Sequence, residues 1–131
     1  MYEWLRDYIK LQEEIEYLEF KIEQNQIELK RWVEGDLRNV KLDEKSIAAG
    51  LEERIEAQFK LLNEKKKQRD DLINFVNKFE GLDNQILRMK WMEGKSLEQI
   101  ADELNYSHGY IKQKHAEIMK IIRFAEILTQ G

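Results

Sequence analysis

The stretch SLEQIADELNYSHGYI, residues 96–111, encodes two helix starts and one tight turn. Ser96 precedes an apolar helical pattern and is followed three residues later by Gln99, which together predict a capping box at a helix N-terminus. Asn105 tolerates the left-handed backbone that a tight turn between helices requires. Ser107 then stands where it can cap the next helix. The stretch therefore predicts a short helix, a tight turn and a second helix.

Apolar residues on both sides of this turn recur at helical spacing, so each helix is expected to bury one face. Ala101 is small enough to let two helices cross closely. Another short helix is predicted before them, capped by Asp83 and ended by Gly94, while Gly81 suits the left-handed end of the helix before that. The predicted core residues are Ile86, Leu87, Met89, Trp91, Leu97, Ile100, Ala101, Leu104, Tyr106, Ile111, Ile118 and Ile122. This order of elements predicts a helix-turn-helix domain over residues 82–131.

Polar side chains occupy the start of the helix that follows Ser107, the end that enters the major groove of DNA in a helix-turn-helix. Lys114 can donate to guanine acceptors and Gln113 can pair with adenine. Lys112, Lys120, Lys95 and Arg88 suit contacts with phosphates. The predicted DNA-binding residues are Ser107, His108, Tyr110, Lys112, Gln113, Lys114, Lys95 and Arg88.

The first part of the chain, residues 1–80, has the pattern of two long helices. Residues 1–32 follow a heptad with two apolar seams that contain one strongly polar residue, Asn25. Asn25 either fixes the register of the helices or lies at a solvated point. A break over residues 34–44 precedes a second helix, which Asp43 or Ser46 can cap. Two long helices joined by a loop of about ten residues are expected to fold back as an antiparallel hairpin. Together with the C-terminal helices, this hairpin predicts an all-α protein.

A lone two-helix hairpin buries little apolar surface, so its seam is expected to pack on a second copy of the chain. The predicted homodimer interface consists of Trp4, Leu11, Ile15, Leu18, Ile22 and Leu29. The basic run at residues 65–69 has two interpretations. It contacts phosphates, or it is a solvated helix face that pairs with acids of the first helix.

Composition excludes several classes of protein. Cysteine and proline are absent, which excludes disulfides and cysteine-ligated zinc and favours long helices. No signal peptide or membrane-spanning run is recognisable, so a cytoplasmic protein is expected. No catalytic residues, metal site or cofactor are predicted, because Ser96 and Ser107 are explained as caps and the carboxylates follow helix surfaces. His115 is expected to be a core or boundary histidine rather than a ligand.

The net charge of −4 is unusual for a protein that binds nucleic acid. Residues 82–131 hold seven basic and seven acidic residues, so the whole excess of acid precedes them. Residues 107–123 hold four basic residues and one acidic residue. A local basic face of this kind can still engage phosphates.

The motifs of the C-terminal third resemble those of a known family. The run ILRMKWMEGKS at residues 86–96, the pair Ile100-Ala101 and the run SHGYIK at residues 107–112 are similar to the fourth conserved region of bacterial sigma factors. They are also similar to the sigma-like regulators that phages and prophages of Gram-positive bacteria encode. The resemblance implies that the helix beginning at His108 reads promoter DNA, with RNA polymerase as a further partner.

Three functions are compatible with these patterns. The first is a dimeric, sequence-specific transcriptional regulator that binds double-stranded DNA. The second is an interaction protein that binds a host protein such as RNA polymerase and uses the helix-turn-helix only as a fold. The third is the DNA-recognition subunit of a phage packaging machine, which also combines this motif with coiled helices.

Overall fold

The computed structural model describes residues 3–33 and 42–130, and all regular structure in these two segments is helical. The helices are α1 (Glu3–Val33), α2 (Leu42–Val76), α3 (Gly81–Leu87), α4 (Leu97–Leu104) and α5 (His108–Gln130). A π-helical turn, Arg88–Met92, continues α3 without a break. The predicted all-α fold is thereby confirmed. Within the same two segments no helix is both long and apolar enough to cross a membrane.

Contacts between the two long helices fix their antiparallel direction. Lys65 of α2 forms an ion pair with Glu14 of α1, and Lys66 Nζ lies 3.6 Å from Glu19 Oε2. The basic run at residues 65–69 therefore follows the second of its two interpretations, since these two lysines pair with acids of the first helix. Pairs of this exposure contribute little to stability, about 0–1 kcal/mol each.

Asn25, the polar residue of the predicted seam, makes a hydrogen bond across the hairpin. It is half-buried, and its Nδ2 donates to Oε1 of Gln58 over 3.0 Å. Sliding one helix along the other would separate these two amides and leave half-buried polar groups without each other. The contact supports the interpretation in which Asn25 fixes the register of the helices.

The seam expected to contact a second copy is buried within a single chain. Ile15 is 0% exposed, Ile22 and Leu11 are also buried, and Leu18 and Leu29 are half-buried. The side chain of Trp4 lies outside the described residues. The hairpin covers this seam itself because α2 buries an apolar stripe of its own, consisting of Leu51, Ile55 and Leu62. A second copy could reach the buried seam residues only if the hairpin opened.

Three predicted caps were wrong, because two helices begin earlier than expected. α2 begins at Leu42, so Asp43 and Ser46 lie inside it; residues 34–41 of the expected loop lie outside the described part. Asp83 lies in the first turn of α3, where its carboxylate meets Lys114. Gly81 has the predicted left-handed backbone, with φ +57°, but it opens α3.

The core of the helix-turn-helix includes the ends of both long helices. Its buried members are Leu5, Val76, Ile86, Leu87, Met89, Ile100, Ala101, Ile111, Ile118, Met119 and Ile122. Trp91, Leu97 and Leu104 pack against this core half-buried. One compact unit consequently comprises residues 1–11 and 69–131, and the other comprises residues 12–68. This division differs from a boundary at residue 81, because Leu5 and Val76 are fully enclosed with the C-terminal helices.

His115 lies at the edge of this core, where a core or boundary histidine was expected. Its ring centroid is 5.9 Å from that of Trp91, and its Nε2 is buried and receives no hydrogen bond from the residues the structure describes. Burial lowers the pKa of His115 below its ordinary value, and the positive charge of Lys90 lowers it further. The neutral imidazole is therefore the form that the fold favours.

Truncation of Leu5 tests whether the start of α1 belongs to the helix-turn-helix core. Leu5→Ala removes a side chain that is 1% exposed, and we expect the free energy of unfolding to fall by about 2–5 kcal/mol. Urea denaturation followed by circular dichroism measures the change. The control Val33→Ala truncates a side chain that is 53% exposed and should alter the free energy by about 0.5 kcal/mol or less. Equal effects of the two variants would contradict this placement of Leu5.

The buried imidazole predicts that stability falls in mild acid. The folded pKa of His115 is lower than its ordinary value of 6.5, so the unfolded chain binds the proton more tightly. Its stabilising contribution is complete above about pH 6.5 and declines as the pH falls below that value. Urea midpoints measured between about pH 5 and about pH 8 should show a smaller decline in His115→Gln than in the parent. Parallel curves for the two proteins would disprove the assignment.

Candidate nucleic-acid interface

The turn between α4 and α5 has the geometry that its sequence predicts. Ser96 Oγ accepts a hydrogen bond from the Gln99 N–H over 3.1 Å, and Gln99 Oε1 accepts one from the Ser96 N–H over 2.8 Å. This capping box begins α4. Asn105 ends α4 in the left-handed conformation, with φ 62° and ψ 42°, and the Tyr106 N–H donates to the Ala101 carbonyl over 2.9 Å. The chain is therefore turned sharply before α5.

Ser107 caps α5 and thereby fixes where the helix begins. Its Oγ accepts a hydrogen bond from the Tyr110 N–H over 3.1 Å. A cap of this kind satisfies one of the four N–H groups that a helix start leaves without a partner inside the helix. The remaining groups and the helix dipole make such an end favourable for an anion such as a phosphate.

The outward face of α5 lies opposite its buried isoleucines. Ile111, Ile118 and Ile122 are at most 2% exposed. The residues on the opposite side of the helix are exposed: Gly109, Lys112, Gln113, Ala116 and Lys120. The Gln113 amide is within 3.4 Å of the Glu117 carboxylate, a weak contact that leaves Gln113 exposed. This face presents two lysines, the amide of Gln113 and the carboxylate of Glu117.

Two small residues of this face were missed by reasoning from sequence alone. Gly109 is exposed, and a Cβ built there would meet no atom within 4 Å. Ala116 is exposed on the same side one turn beyond Gln113. Their spacing of seven residues places them on one helix face, which the sequence did contain. Small side chains here let another molecule approach the backbone of α5 closely.

Lys114, predicted to donate to guanine, is turned toward α3 instead of the outward face. Its Nζ lies 3.3 Å from Oδ1 of Asp83, and its side chain is 28% exposed. The neighbouring carboxylate of Asp83 stabilises the protonated ammonium and raises the pKa of Lys114. Lys114 therefore contributes to the contact between α3 and α5.

Lys95, predicted to contact phosphates, is shared between two carboxylates. Its Nζ is 2.7 Å from Glu103 Oε2 and 3.1 Å from Glu93 Oε1. The hydrogen bonds to Glu103 and then to Glu93 raise the pKa of Lys95. Its charge is thus locally neutralised. Arg88 is exposed on the π-helical turn.

Two tyrosines form an exposed stack beside the start of α5. The rings of Tyr106 and Tyr110 have centroids 5.2 Å apart and an interplanar angle of 27°. Tyr110 is exposed as expected, but Tyr106 is 45% exposed and was wrongly assigned to the core. The left-handed Asn105 places Tyr106 outside the turn, where the ring of Tyr110 covers one of its faces. His108 is exposed too, with Nδ1 3.8 Å from a carboxylate oxygen of Glu98.

Comparison with known proteins supports the interpretation of the C-terminal helices as a helix-turn-helix. The family model of sigma-70 region 4 matches residues 81–123, which contain α3, the π-helical turn, α4 and most of α5. No curated protein and no solved structure matches the chain. The match covers the same helices that carry the capping box, the left-handed turn and the capped outward face. Residues 81–123 are therefore a sigma region 4-like helix-turn-helix.

Proposed function

We propose that the protein is a sequence-specific, DNA-binding transcriptional regulator of the kind that phages encode, and that α5 is its recognition helix. The observation that carries this proposal is the exposed face of α5, where Gln113 stands between Lys112 and Lys120 beside a helix start capped by Ser107. A regulator of this kind acts in the cytoplasm of its bacterial host.

In this proposal the start of α5 enters the major groove. Gln113 is the side chain best suited to read a base, because its amide can both donate to and accept from adenine. Gly109 and Ala116 lie on the same face and allow the helix backbone to approach the bases. His108 and the stacked Tyr110 flank this entry point, where they contact the sugar-phosphate backbone or the edge of a neighbouring base.

Phosphate contacts come from a smaller set of cations than the sequence indicated. Lys112, Lys120 and Arg88 are exposed. Lys95 and Lys114 are held by carboxylates and serve mainly to fix the domain's own surface. Few phosphate contacts imply modest affinity with a shallow dependence on salt, which suits a domain with no excess of positive charge.

We also propose that the regulator acts as a homodimer through its N-terminal helices. A helix-turn-helix dimer binds two half-sites, and this doubles the small number of base contacts that one recognition helix makes. The compact unit of residues 12–68 contains parts of both long helices.

An interaction protein remains the second candidate, and an observation favours it. The exposed surface of α4 carries Glu98, Asp102 and Glu103 immediately before the turn, and within the described part of the chain only Glu103 of these pairs with a lysine, Lys95. Such a face repels phosphates and suits a basic protein surface, for example on RNA polymerase. A gel shift with random duplex DNA at low salt separates the candidates. Retarded DNA supports the regulator, and unretarded DNA supports the interaction protein.

Alanine at Gln113 tests base reading. On a duplex selected from a random pool by the parent protein, Gln113→Ala should cost about 1–3 kcal/mol of binding free energy. On a scrambled duplex the cost should be close to zero, because phosphate contacts are retained. Fluorescence anisotropy on the two duplexes measures both values. Equal losses on both would show that Gln113 does not read sequence.

Two lysines of equal charge provide a matched test of phosphate binding. Lys112→Ala should weaken binding to all duplexes and reduce the slope of log K against log salt by about one. Lys114→Ala removes the same charge from the carboxylate-held position and should leave that slope unchanged. A flattened slope for Lys114→Ala, with the parent slope for Lys112→Ala, would reverse the two assignments.

A further inference from the structure

A second apolar stripe runs along α1, away from the buried seam. We call it the outer stripe, and its members follow alternating spacings of four and three residues: Glu13, Tyr17, Phe20, Gln24, Ile27 and Arg31. Tyr17 is 61%, Phe20 is 54% and Ile27 is 57% exposed. All six residues lie in the compact unit of residues 12–68.

This spacing is the pattern by which one helix packs against another. Alternate steps of three and four residues keep side chains on one narrow face, and a facing helix fills the spaces between them. The face at Ile15 and Ile22 already satisfies this pattern within the hairpin, so the outer stripe is a second and independent helix-packing surface. Three large apolar side chains more than half exposed in one line mark an interaction site rather than ordinary surface.

We propose that the outer stripe is the homodimer interface, and that two copies of α1 pair along it in antiparallel orientation. The argument is charge complementarity. The stripe has an acid at one end, Glu13, and a base at the other, Arg31, with three apolar residues and the uncharged Gln24 between them. Antiparallel pairing sets each Glu13 opposite the Arg31 of the other copy. Parallel pairing would set like charges opposite each other at both ends, which is unfavourable.

The register that matches these ends also matches the shapes along the stripe. It brings Tyr17 opposite Ile27 of the other copy and Phe20 opposite Gln24. An open groove of about 400 Å³ lies beside Ile27, lined by Gln24, Ile27, Glu28, Arg31 and Trp32. In this register the exposed ring of Tyr17 lies against the groove of the other copy. A two-fold axis repeats the same contact at both ends of the interface.

Charges that flank the middle of the stripe do not decide the orientation. Near the two-fold axis Lys21 meets its own copy on one side and Glu23 meets its own copy on the other. Glu23 is exposed and Lys21 is half-buried, and like-charge contacts at the rim of an interface are weak and are screened by salt. The paired ends, where Glu13 and Arg31 meet twice, therefore set the direction of pairing.

Cysteine cross-linking tests the orientation cleanly, because the natural chain has no cysteine. The full chain is prepared as Tyr17→Cys and as Ile27→Cys, and the two are oxidised separately and as a mixture. The proposal expects a disulfide-linked dimer only in the mixture, since these positions face each other across the antiparallel interface. Cross-linking of each variant with itself indicates parallel pairing and overturns the proposal, as does the absence of any cross-link.

Sedimentation equilibrium of the full chain tests the residues of the interface. Phe20→Glu should raise the dissociation constant of the dimer by about 100-fold or more, because it buries a charge without an opposite charge at the middle of the interface. The control Leu61→Glu changes an apolar side chain of α2 that is 43% exposed and lies off the stripe, and it should leave the dimer intact. A parent that stays monomeric at all concentrations, or equal losses in both variants, overturns the proposal.

A charge swap tests the ends of the stripe. Glu13→Arg or Arg31→Glu alone should weaken the dimer by roughly 3- to 10-fold, and the double swap should restore it. A double swap that dimerises no better than the single variants contradicts the antiparallel register. The inference rests on the proposal that the regulator is a homodimer. Failure of this interface can nevertheless be told apart from failure of DNA binding. All these assays omit DNA, and binding of a single half-site by α5 is measured separately.

Discussion

Three isoleucines, one from each helix of the helix-turn-helix, are removed completely from solvent: Ile86, Ile100 and Ile111. Their joint burial fixes how α5 is rotated about its own axis, because turning the helix would expose Ile111 at a cost of about 1.5–3 kcal/mol. Once that rotation is fixed, the residues on the opposite side must face outward. The position of Gln113 and the two lysines beside it is thus a consequence of packing in the core, to which Leu5 and Val76 also contribute.

Ion pairs within the domain then select which cations of the surface remain for a partner. Asp83 holds Lys114, and Glu93 with Glu103 holds Lys95. These pairs are partly exposed and add little stability, but they take up charge that would otherwise attract phosphates. The result is a nearly neutral domain with a small basic face. Recognition by such a surface depends more on the placement of a few groups than on the net charge.

The N-terminal helix α1 has two apolar faces, of which one is buried and the other is exposed. Its inner seam packs against α2 of the same chain. Asn25 and Gln58 form an amide hydrogen bond across this contact. Its outer stripe has the same helical spacing but is exposed. A helix with two apolar faces separated by charged residues can pack on both sides. In the proposed dimer, the association of copies and the folding of the hairpin are therefore served by different residues.

The sequence alone determined where α4 begins and ends and where α5 begins, because local chemistry fixes these points. The capping box at Ser96, the left-handed turn at Asn105 and the cap at Ser107 each depend on residues within four positions of one another. The spacing of Ile111, Ile118 and Ile122 likewise determined which side of α5 is buried. Family resemblance rested on the same short motifs.

Tertiary structure decided what depends on residues distant in sequence. Pairing of Lys114 with Asp83 joins positions on two helices, and no local pattern distinguishes it from a lysine that faces DNA. The inclusion of Leu5 in a core formed by the C-terminal helices is decided in the same way. An apolar seam in the sequence also does not indicate whether another helix of the same chain or a second copy covers it. Helical spacing determines which face is buried, whereas the folded chain determines what covers it.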